Sequence, residues 1–321
     1  MPGRVALAPI AGFTDYPFRA AVARYGCAYA VTPLSSAEGL ARRGAAREPN
    51  LATGPDDAAV VAAQIFGARP ATLAEAARRL ADAGFAVVDL NLGCPVRRMR
   101  RQQAGAYLVE DAAAVRDVAR AVVAASPVPV TAKLRLGFAA PTTSGLTAAR
   151  ILAAEGVAAL AVHGRTVAQG FAGPVDYDGL AAVVAAVDIP VWANGGVRSP
   201  ADAAAMLART GAAGVMVGRG AVGRPYVINQ LERYLATGTA PPAPTRAELA
   251  AVIAAQLARL VALVGEERAA RQFRKHLLAY LKENGAPKEL RLRAVAVEGS
   301  ADVAAVLAAW QAAGGDEKGA P

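Results

Sequence analysis

The chain has 321 residues, of which 55% are hydrophobic and 5% aromatic, and its formal net charge is +9. This length suffices for one large domain and a small one, and the basic balance favours polyanionic partners. The two cysteines, Cys27 and Cys94, are far apart, which excludes a disulfide framework or a cysteine-based zinc pattern, so we expect a reducing compartment and no metal. The N-terminus leads straight into fold-like sequence, and we expect neither a signal peptide nor a membrane span.

Short apolar runs alternate with amphipathic segments over most of the chain. We predict strands at residues 4–8, 29–33, 60–66, 86–90, 129–134, 158–162, 190–193 and 214–217. Helical periodicity between them predicts helices such as Ala71–Ala83, Asp111–Ala125, Ser199–Arg209 and Ala221–Leu235. This alternation is typical of an α/β fold of the (β/α)8 TIM-barrel type. An open doubly wound sheet is disfavoured, because no GxGxxG follows the first strand and polar residues end many strands.

A segment rich in proline and glycine, TGTAPPAPT, follows Leu235 and predicts a linker. Beyond it the pattern is purely helical, with helices expected at Ala247–Val264, Glu266–Asn284 and around Ser300–Gln311. We therefore expect a barrel at 1–238, a linker at 239–245, a small all-helical domain at 246–312 and a disordered tail at 313–321.

Polar or glycine residues follow nearly every predicted strand, at the end where TIM barrels carry their chemistry. One such cluster would be ordinary, but clusters at nearly all strand ends predict a lined pocket. The candidate residues are Pro9, Ile10, Ala11, Gln64, Asn91, Cys94, Lys133, His163, Arg165, Asn194, Gly195, Gly196, Gly218 and Arg219.

Two glycine-containing loops follow the seventh and eighth strands. Gly195-Gly196 and Gly218-Arg219-Gly220 stand where many TIM barrels bind phosphate through backbone N–H groups. Tight turns alone would explain one such loop. Two adjacent loops with an arginine favour a cofactor or substrate that carries phosphate.

Two side chains are candidates for the chemistry itself. Lys133 could stabilise negative charge on a flavin, form a Schiff base or pair with a carboxylate, and periodicity does not separate these roles. The carboxamides of Gln64 and Asn194 suit the edge of a flat heterocycle. Cys94 lies in the strand-end loop NLGCP, and an inert buried thiol is the alternative to a functional one. The run RRMRR just after it is expected to favour the thiolate.

The basic residues beyond the pocket have two readings. Arg98 belongs to the RRMRR run, and Arg271 and Lys275 lie four residues apart on a predicted helix of the C-terminal region. Such residues form either a solvated charged face or a surface that contacts the phosphates of a large anionic substrate.

Several motifs occur together in a fixed order along the chain. They are APIAGFTDYPFR at 8–19, QIFG at 64–67, DLNLGCPV at 89–96, PVTAKLRLGF at 129–138, HGRTVAQGFAG at 163–173, ANGGV at 193–197, GVMVGRGAVGRPY at 214–226 and FRKHLLAYLK at 273–282. In this combination the chain resembles the tRNA-dihydrouridine synthase family, and most of all its bacterial B-type branch, from about Leu7 to about Leu307.

The resemblance implies an oxidoreductase with an FMN-binding barrel and a helical tRNA-binding domain, and we expect it to be cytoplasmic and monomeric, although the sequence does not determine the oligomeric state. NADPH would reduce FMN, hydride would pass from flavin N5 to C6 of a tRNA uridine, and Cys94 would protonate C5. FMN would be held by Pro9, Ile10, Ala11, Gln64, Lys133, His163, Asn194, Gly195, Gly196, Gly218 and Arg219. Asn91 and Arg165 would lie near the uracil, while Arg98, Arg271 and Lys275 would contact tRNA.

The chain departs from the family pattern at a few positions. Leu92 replaces a common Met, Arg98 a common Lys, Gly196 a common Asp, and Ala279 a common aromatic residue. Three other functions stay open: a flavin barrel acting on a free pyrimidine, a Schiff-base lyase using Lys133, and a catalytically silent tRNA-binding module. Neither the uridine that is modified nor the preference for NADPH over NADH follows from the sequence.

Overall fold

The computed structural model describes residues 3–313 of the chain. Within that range one parallel sheet contains nine strands: β1 Val5–Leu7, β2 Tyr29–Val31, β3 Ser35–Ser36, β4 Val60–Phe66, β5 Val87–Leu92, β6 Val130–Arg135, β7 Ala159–His163, β8 Val191–Asn194 and β9 Gly214–Val217. β1 pairs with both β2 and β9, and β2 pairs with β4, so the eight strands other than β3 close into a barrel. The expected α/β TIM barrel is confirmed. The unpredicted β3 has only two residues, too few to produce a periodic pattern.

Helices surround the barrel and continue beyond it. They are α1 Tyr16–Ala23, α2 Ala37–Arg43, α3 Pro70–Asp82, α4 Arg97–Gln102, α5 Ala112–Ala125, α6 Ser144–Ala154, α7 Tyr177–Ala185, α8 Pro200–Thr210, α9 Val227–Thr237, α10 Arg246–Val264, α11 Glu266–Glu283, α12 Lys288–Ala294 and α13 Ser300–Ala312. The helix predicted from Ala221 begins only at Val227, because Gly223 adopts a φ of +78° and Pro225 has no amide hydrogen to donate. The tail expected at 313–321 lies, from residue 314 onward, outside the described residues.

Alternate residues of the strands point to opposite sides of the sheet. One set, which includes Leu7, Val88 and Leu134, packs with the surrounding helices in the main core. The other set fills the barrel interior, with Tyr29 and Trp192 among small side chains. Towards the C-terminal ends of the strands the inward positions become polar: Gln64, Asp89, Asn91, Thr131 and Lys133. The barrel therefore has a packed floor and a polar mouth.

The last four helices form a second core beside the barrel. Leu249, Ile253 and Leu257 of α10 are buried there together with Phe273 and Trp310. α10 is long and apolar enough, by composition, to cross a membrane. Its packing against α1, α11 and α13 accounts for that apolar character.

The C-terminal end of α11 is anchored to the loop that follows β9. The side chain of Asn284 donates from Nδ2 to the carbonyl of Gly223, 2.8 Å away, and accepts a hydrogen bond of 2.9 Å from the hydroxyl of Tyr226. Gly223 approaches the backbone of Ala279 so closely that a Cβ at this position would collide with its carbonyl oxygen. This contact fixes the helical part of the chain against the barrel mouth.

Candidate active site

A cavity of about 770 Å³ opens at the C-terminal ends of the barrel strands. This volume is within the range of ligand and cofactor sites in proteins. Most residues singled out from the sequence line it: Pro9, Ile10, Ala11, Gln64, Asn91, Cys94, Lys133, His163, Asn194, Gly195, Gly196, Gly218 and Arg219. The barrel thus brings together side chains and loops that are more than 200 residues apart in sequence.

A buried hydrogen-bond network supports the loop of Cys94. Asp89 accepts from Thr131 at 2.5 Å and from Nε2 of Gln64 at 2.7 Å, and burial raises the pKa of this carboxyl. Gln64 in turn accepts from Nδ2 of Asn91 at 2.8 Å. The carbonyl oxygen of the Asn91 side chain then accepts from the backbone amide of Cys94 at 3.0 Å and from the preceding amide at 3.3 Å. Asn91 therefore ties the Cys94 loop to the barrel interior.

The thiol of Cys94 is partly buried at the cavity wall. Burial raises its pKa above the ordinary value of 9.0, and this outweighs the opposite effect of the nearby cations Arg135 and Lys133. The expectation that the RRMRR run favours the thiolate is therefore wrong. The arginines of that run are exposed on α4, where solvent screens their charges. Cys94 is consequently a thiol at neutral pH.

Lys133 is a half-buried cation that lines the cavity. Its Nζ donates to the side-chain oxygen of Asn194 at 3.0 Å, and the side-chain nitrogen of Asn194 donates to the carbonyl of Met216 at 2.6 Å. Burial, and then the charge of Arg135, lower the pKa of Lys133 from 10.5 to about 8. Burial and Lys133 also hold the pKa of His163 far below its usual range, so its imidazole is neutral. Lys133 can therefore stabilise negative charge on a bound ligand.

We expect Lys133→Met to stabilise the ligand-free protein by on the order of 2 kcal/mol at about pH 7. Because the folded pKa of about 8 is below the ordinary value of 10.5, the unfolded chain binds more protons between these values, and wild-type stability rises with pH there. The advantage of the variant should therefore be largest below about pH 8 and shrink towards pH 10.5. Urea unfolding at both ends of this window measures it, with the exposed Lys288→Met as control. An advantage that does not change with pH would contradict the assignment.

The loops after β8 and β9 form a glycine-lined concavity. Gly195 and Gly196 adopt φ values of +129° and +73°. A Cβ at Gly195 would lie 3.0 Å from Cδ2 of His163. Arg219 borders the concavity, and its guanidinium lies 4.3 Å from the ring centroid of Phe171. Backbone amides, an arginine and space that side chains would fill are features suited to a phosphate group.

Four predicted substrate contacts lie outside the cavity lining. Arg165 is buried and donates to the carbonyl of Gly173 at 2.9 and 3.2 Å, so its own loop holds it. Arg98 is exposed on α4. Arg271 and Lys275 are exposed on α11, and Nζ of Lys275 lies 5.5 Å from the ring centroid of Phe13 at the cavity edge.

The cavity also contains Arg135, a strand-end residue like Lys133, and four residues outside the candidate set: Phe171, Arg198, Lys282 and Glu283. Arg135 is two positions after Lys133, and this period of two within a strand was a usable signal. Phe171 lies in the HGRTVAQGFAG motif and is 60% exposed, which is unusual for phenylalanine. Lys282 and Glu283 come from α11 and carried no local signal.

The chain is similar to known proteins in sequence and in structure. The sequence profile described as Dihydrouridine synthase (Dus) matches residues 6–313. The tRNA-dihydrouridine synthase B of Pseudomonas aeruginosa is 38% identical over 91% of this chain and 87% of its own length, and that of Xanthomonas axonopodis pv. citri is 40% identical over the same shares. Among solved structures, a variant of NCR from Zymomonas mobilis is similar with a TM-score of 0.48 and 17% identity, over 74% of this chain and 88% of that chain. The chain therefore belongs to the dihydrouridine synthase family, whose members are flavin-dependent oxidoreductases.

Proposed function

We propose that the chain reduces the C5=C6 bond of a uridine in tRNA to 5,6-dihydrouridine, with FMN as cofactor and NADPH as reductant. One observation carries the proposal. A single cavity combines a thiol that is protonated at neutral pH, after β5, with a glycine-lined phosphate concavity after β8 and β9. β5 and β9 are diametrically opposed in the barrel ring, so Cys94 and the Gly218-Arg219 loop lie on opposite sides of the cavity.

The residues around the cavity suit FMN. The loops Gly195-Gly196 and Gly218-Arg219 would bind its phosphate, and Lys133 would face the part of the ring that becomes negatively charged. Pro9, Ile10 and Ala11 would contact the ring system, and Gln64, His163 and Asn194 would present polar atoms to it. His163 is neutral. Among the residues expected to face the ring, Lys133 is therefore the cation.

Held by these residues and reduced by NADPH, FMN would supply the hydride that the C6 position of the uracil accepts. Cys94 would donate its proton to C5, because its thiol lies at the cavity wall and keeps its proton at neutral pH. The thiolate that this leaves is stabilised by Arg135 and Lys133, the two cations that act on its pKa. The same two residues therefore favour proton release while burial prevents premature ionisation.

The substrate must reach this cavity as an extruded base, since C5 and C6 are inaccessible in a stacked helix. Asn91 would act near the uracil by holding the Cys94 loop, and Arg165 by holding the loop after β7. Arg98, Arg271 and Lys275 are exposed and would contact tRNA phosphates. In this proposal 1–238 is the catalytic domain, 239–245 the linker and 246–312 the tRNA-binding domain.

NADPH and the uracil would use the same cavity in turn, because both would react with the flavin that we propose to be bound there. Alternation of this kind separates reduction of the cofactor from reduction of the substrate in time. We further propose that the protein works as a monomer in the cytoplasm, where its tRNA substrate and NADPH are both present.

Purified protein reconstituted with FMN tests the proposal. NADPH should bleach the flavin absorbance without oxygen, and addition of unmodified tRNA should restore it while one uridine gains two hydrogen atoms by mass spectrometry. Free uridine and orotate should leave the flavin reduced. Oxidation by a free pyrimidine but not by tRNA would favour the alternative flavin barrel, and a protein that takes up no FMN would overturn the cofactor assignment.

A further inference from the structure

The C-terminal end of α11 forms one wall of the cavity next to the phosphate loops. Lys282 and Glu283 line the cavity there, and Arg198 from the loop after β8 faces them. Nη2 of Arg198 donates to a carboxylate oxygen of Glu283 at 2.7 Å. This ion pair joins the barrel to the helical part of the chain beside the glycine-lined concavity.

The backbone of Arg198 is held on both sides. Its amide donates to Asp202 at 2.9 Å, within the capping box of α8, and its carbonyl accepts from Arg224 at 3.2 Å. The adjacent Gly220 packs so closely on the same loop that a Cβ there would collide with the carbonyl oxygen of Val197. The backbone of Arg198 is therefore fixed, and its long, half-exposed side chain extends over the cavity.

The charges at this end are unbalanced. Among the described residues that line the cavity, Glu283 is the single carboxylate, against the cations Lys133, Arg135, Arg198, Arg219 and Lys282. The charge of Arg198 also acts on Arg219, whose pKa is lowered by burial and then by Arg165 and Arg198. Gly196, which replaces a common Asp, adds no further carboxylate to the cavity. An excess of five cations over one carboxylate in the same cavity indicates an anionic ligand.

We propose that Arg198 and Lys282 are a second pair of ligands for the cofactor phosphate, so that α11 completes the cofactor site. The proposal rests on the proposed function, since it takes a flavin phosphate monoester as the ligand. Glu283 holds the guanidinium of Arg198 at the rim of the cavity. The bound phosphate would contact the same guanidinium alongside Glu283. The helical part of the chain thereby contributes directly to cofactor affinity.

Binding of FMN and of riboflavin, which lacks the phosphate, tests the proposal in the full-length flavin-free protein. Arg198→Ala combined with Lys282→Ala should weaken FMN binding about tenfold or more, the effect of losing charge-assisted hydrogen bonds, and leave riboflavin affinity unchanged. Arg233→Ala combined with Lys288→Ala removes two exposed charges elsewhere and should change neither affinity. Flavin fluorescence quenching gives both dissociation constants without any turnover.

Glu283→Gln distinguishes a role of Arg198 in phosphate binding from a purely structural role in docking α11 on the barrel. If Arg198 binds phosphate, loss of the neighbouring carboxylate should leave FMN affinity equal or higher. If the pair only docks α11 on the barrel, Glu283→Gln should match Arg198→Ala and weaken both flavins equally, which would overturn the proposal. Unchanged FMN affinity with weaker tRNA binding would assign the two cations to nucleic-acid phosphates and overturn it too. A wild-type protein that binds neither flavin would refute the proposed function itself.

Discussion

Cys94→Ala is expected to lower the rate of dihydrouridine formation in tRNA by about 10²- to 10⁴-fold, the usual contribution of a positioned general acid. The variant should still bind FMN and be reduced by NADPH, because the thiol acts only on the uracil. Anaerobic stopped-flow absorbance separates the two half-reactions: flavin reduction should keep its wild-type rate, and reoxidation by tRNA should slow. Near-normal reoxidation would reject Cys94 as the acid.

Cys27→Ala is the matched control, because Cys27 is the other cysteine of the chain and is buried away from the cavity. It should not alter either half-reaction. The pH dependence gives an independent check. A raised pKa keeps the Cys94 donor protonated through neutral pH, so the reoxidation rate should stay level there and fall only in the alkaline range. A rate that climbs with pH through the neutral range would mean that the thiolate is the active form.

The barrel and its chemical end could be predicted because both depend on local patterns. Strand residues alternate between the helix-facing core and the interior, and this left a readable sequence of apolar runs. The parallel barrel then gathers all strand ends at one mouth, so residues as distant as Ile10 and Arg219 meet in one cavity. The strand-end residues could be selected together because the barrel fold brings them to one cavity, although they are distant in sequence.

The remaining features depend on contacts between distant segments. Lys282 and Glu283 enter the cavity only because Gly223 and Asn284 fix the end of α11 on the barrel. The prediction that the RRMRR run favours the Cys94 thiolate fails for a related reason: the sequence shows the adjacent arginines but not their exposure, and burial dominates the pKa. Proximity in sequence is a poor guide to electrostatics when one group is buried and its neighbours are solvated.

Asn91→Ala is expected to slow dihydrouridine formation about 10²-fold, which is the cost of a small misplacement of a catalytic group. Asn91 is the side chain that fastens the amide of Cys94 to the barrel network, so its removal frees the loop and leaves the Gln64 oxygen without its donor. Flavin reduction by NADPH should be unaffected. Gln230→Ala, which removes a carboxamide that bonds the backbone of Pro241 far from the cavity, should change neither half-reaction.

The double variant Asn91→Ala/Cys94→Ala decides whether Asn91 positions the acid or contacts the uracil. A positioning residue has nothing left to position once the thiol is gone, so the double variant should react about as slowly as Cys94→Ala alone. If Asn91 bound the base directly, the two losses would multiply, and the tRNA concentration for half-maximal rate would rise in both Asn91 variants. The hydrogen bond of 3.0 Å from the Cys94 amide to Asn91 favours the first outcome. In that case Asn91 acts on the reaction through the position of the thiol.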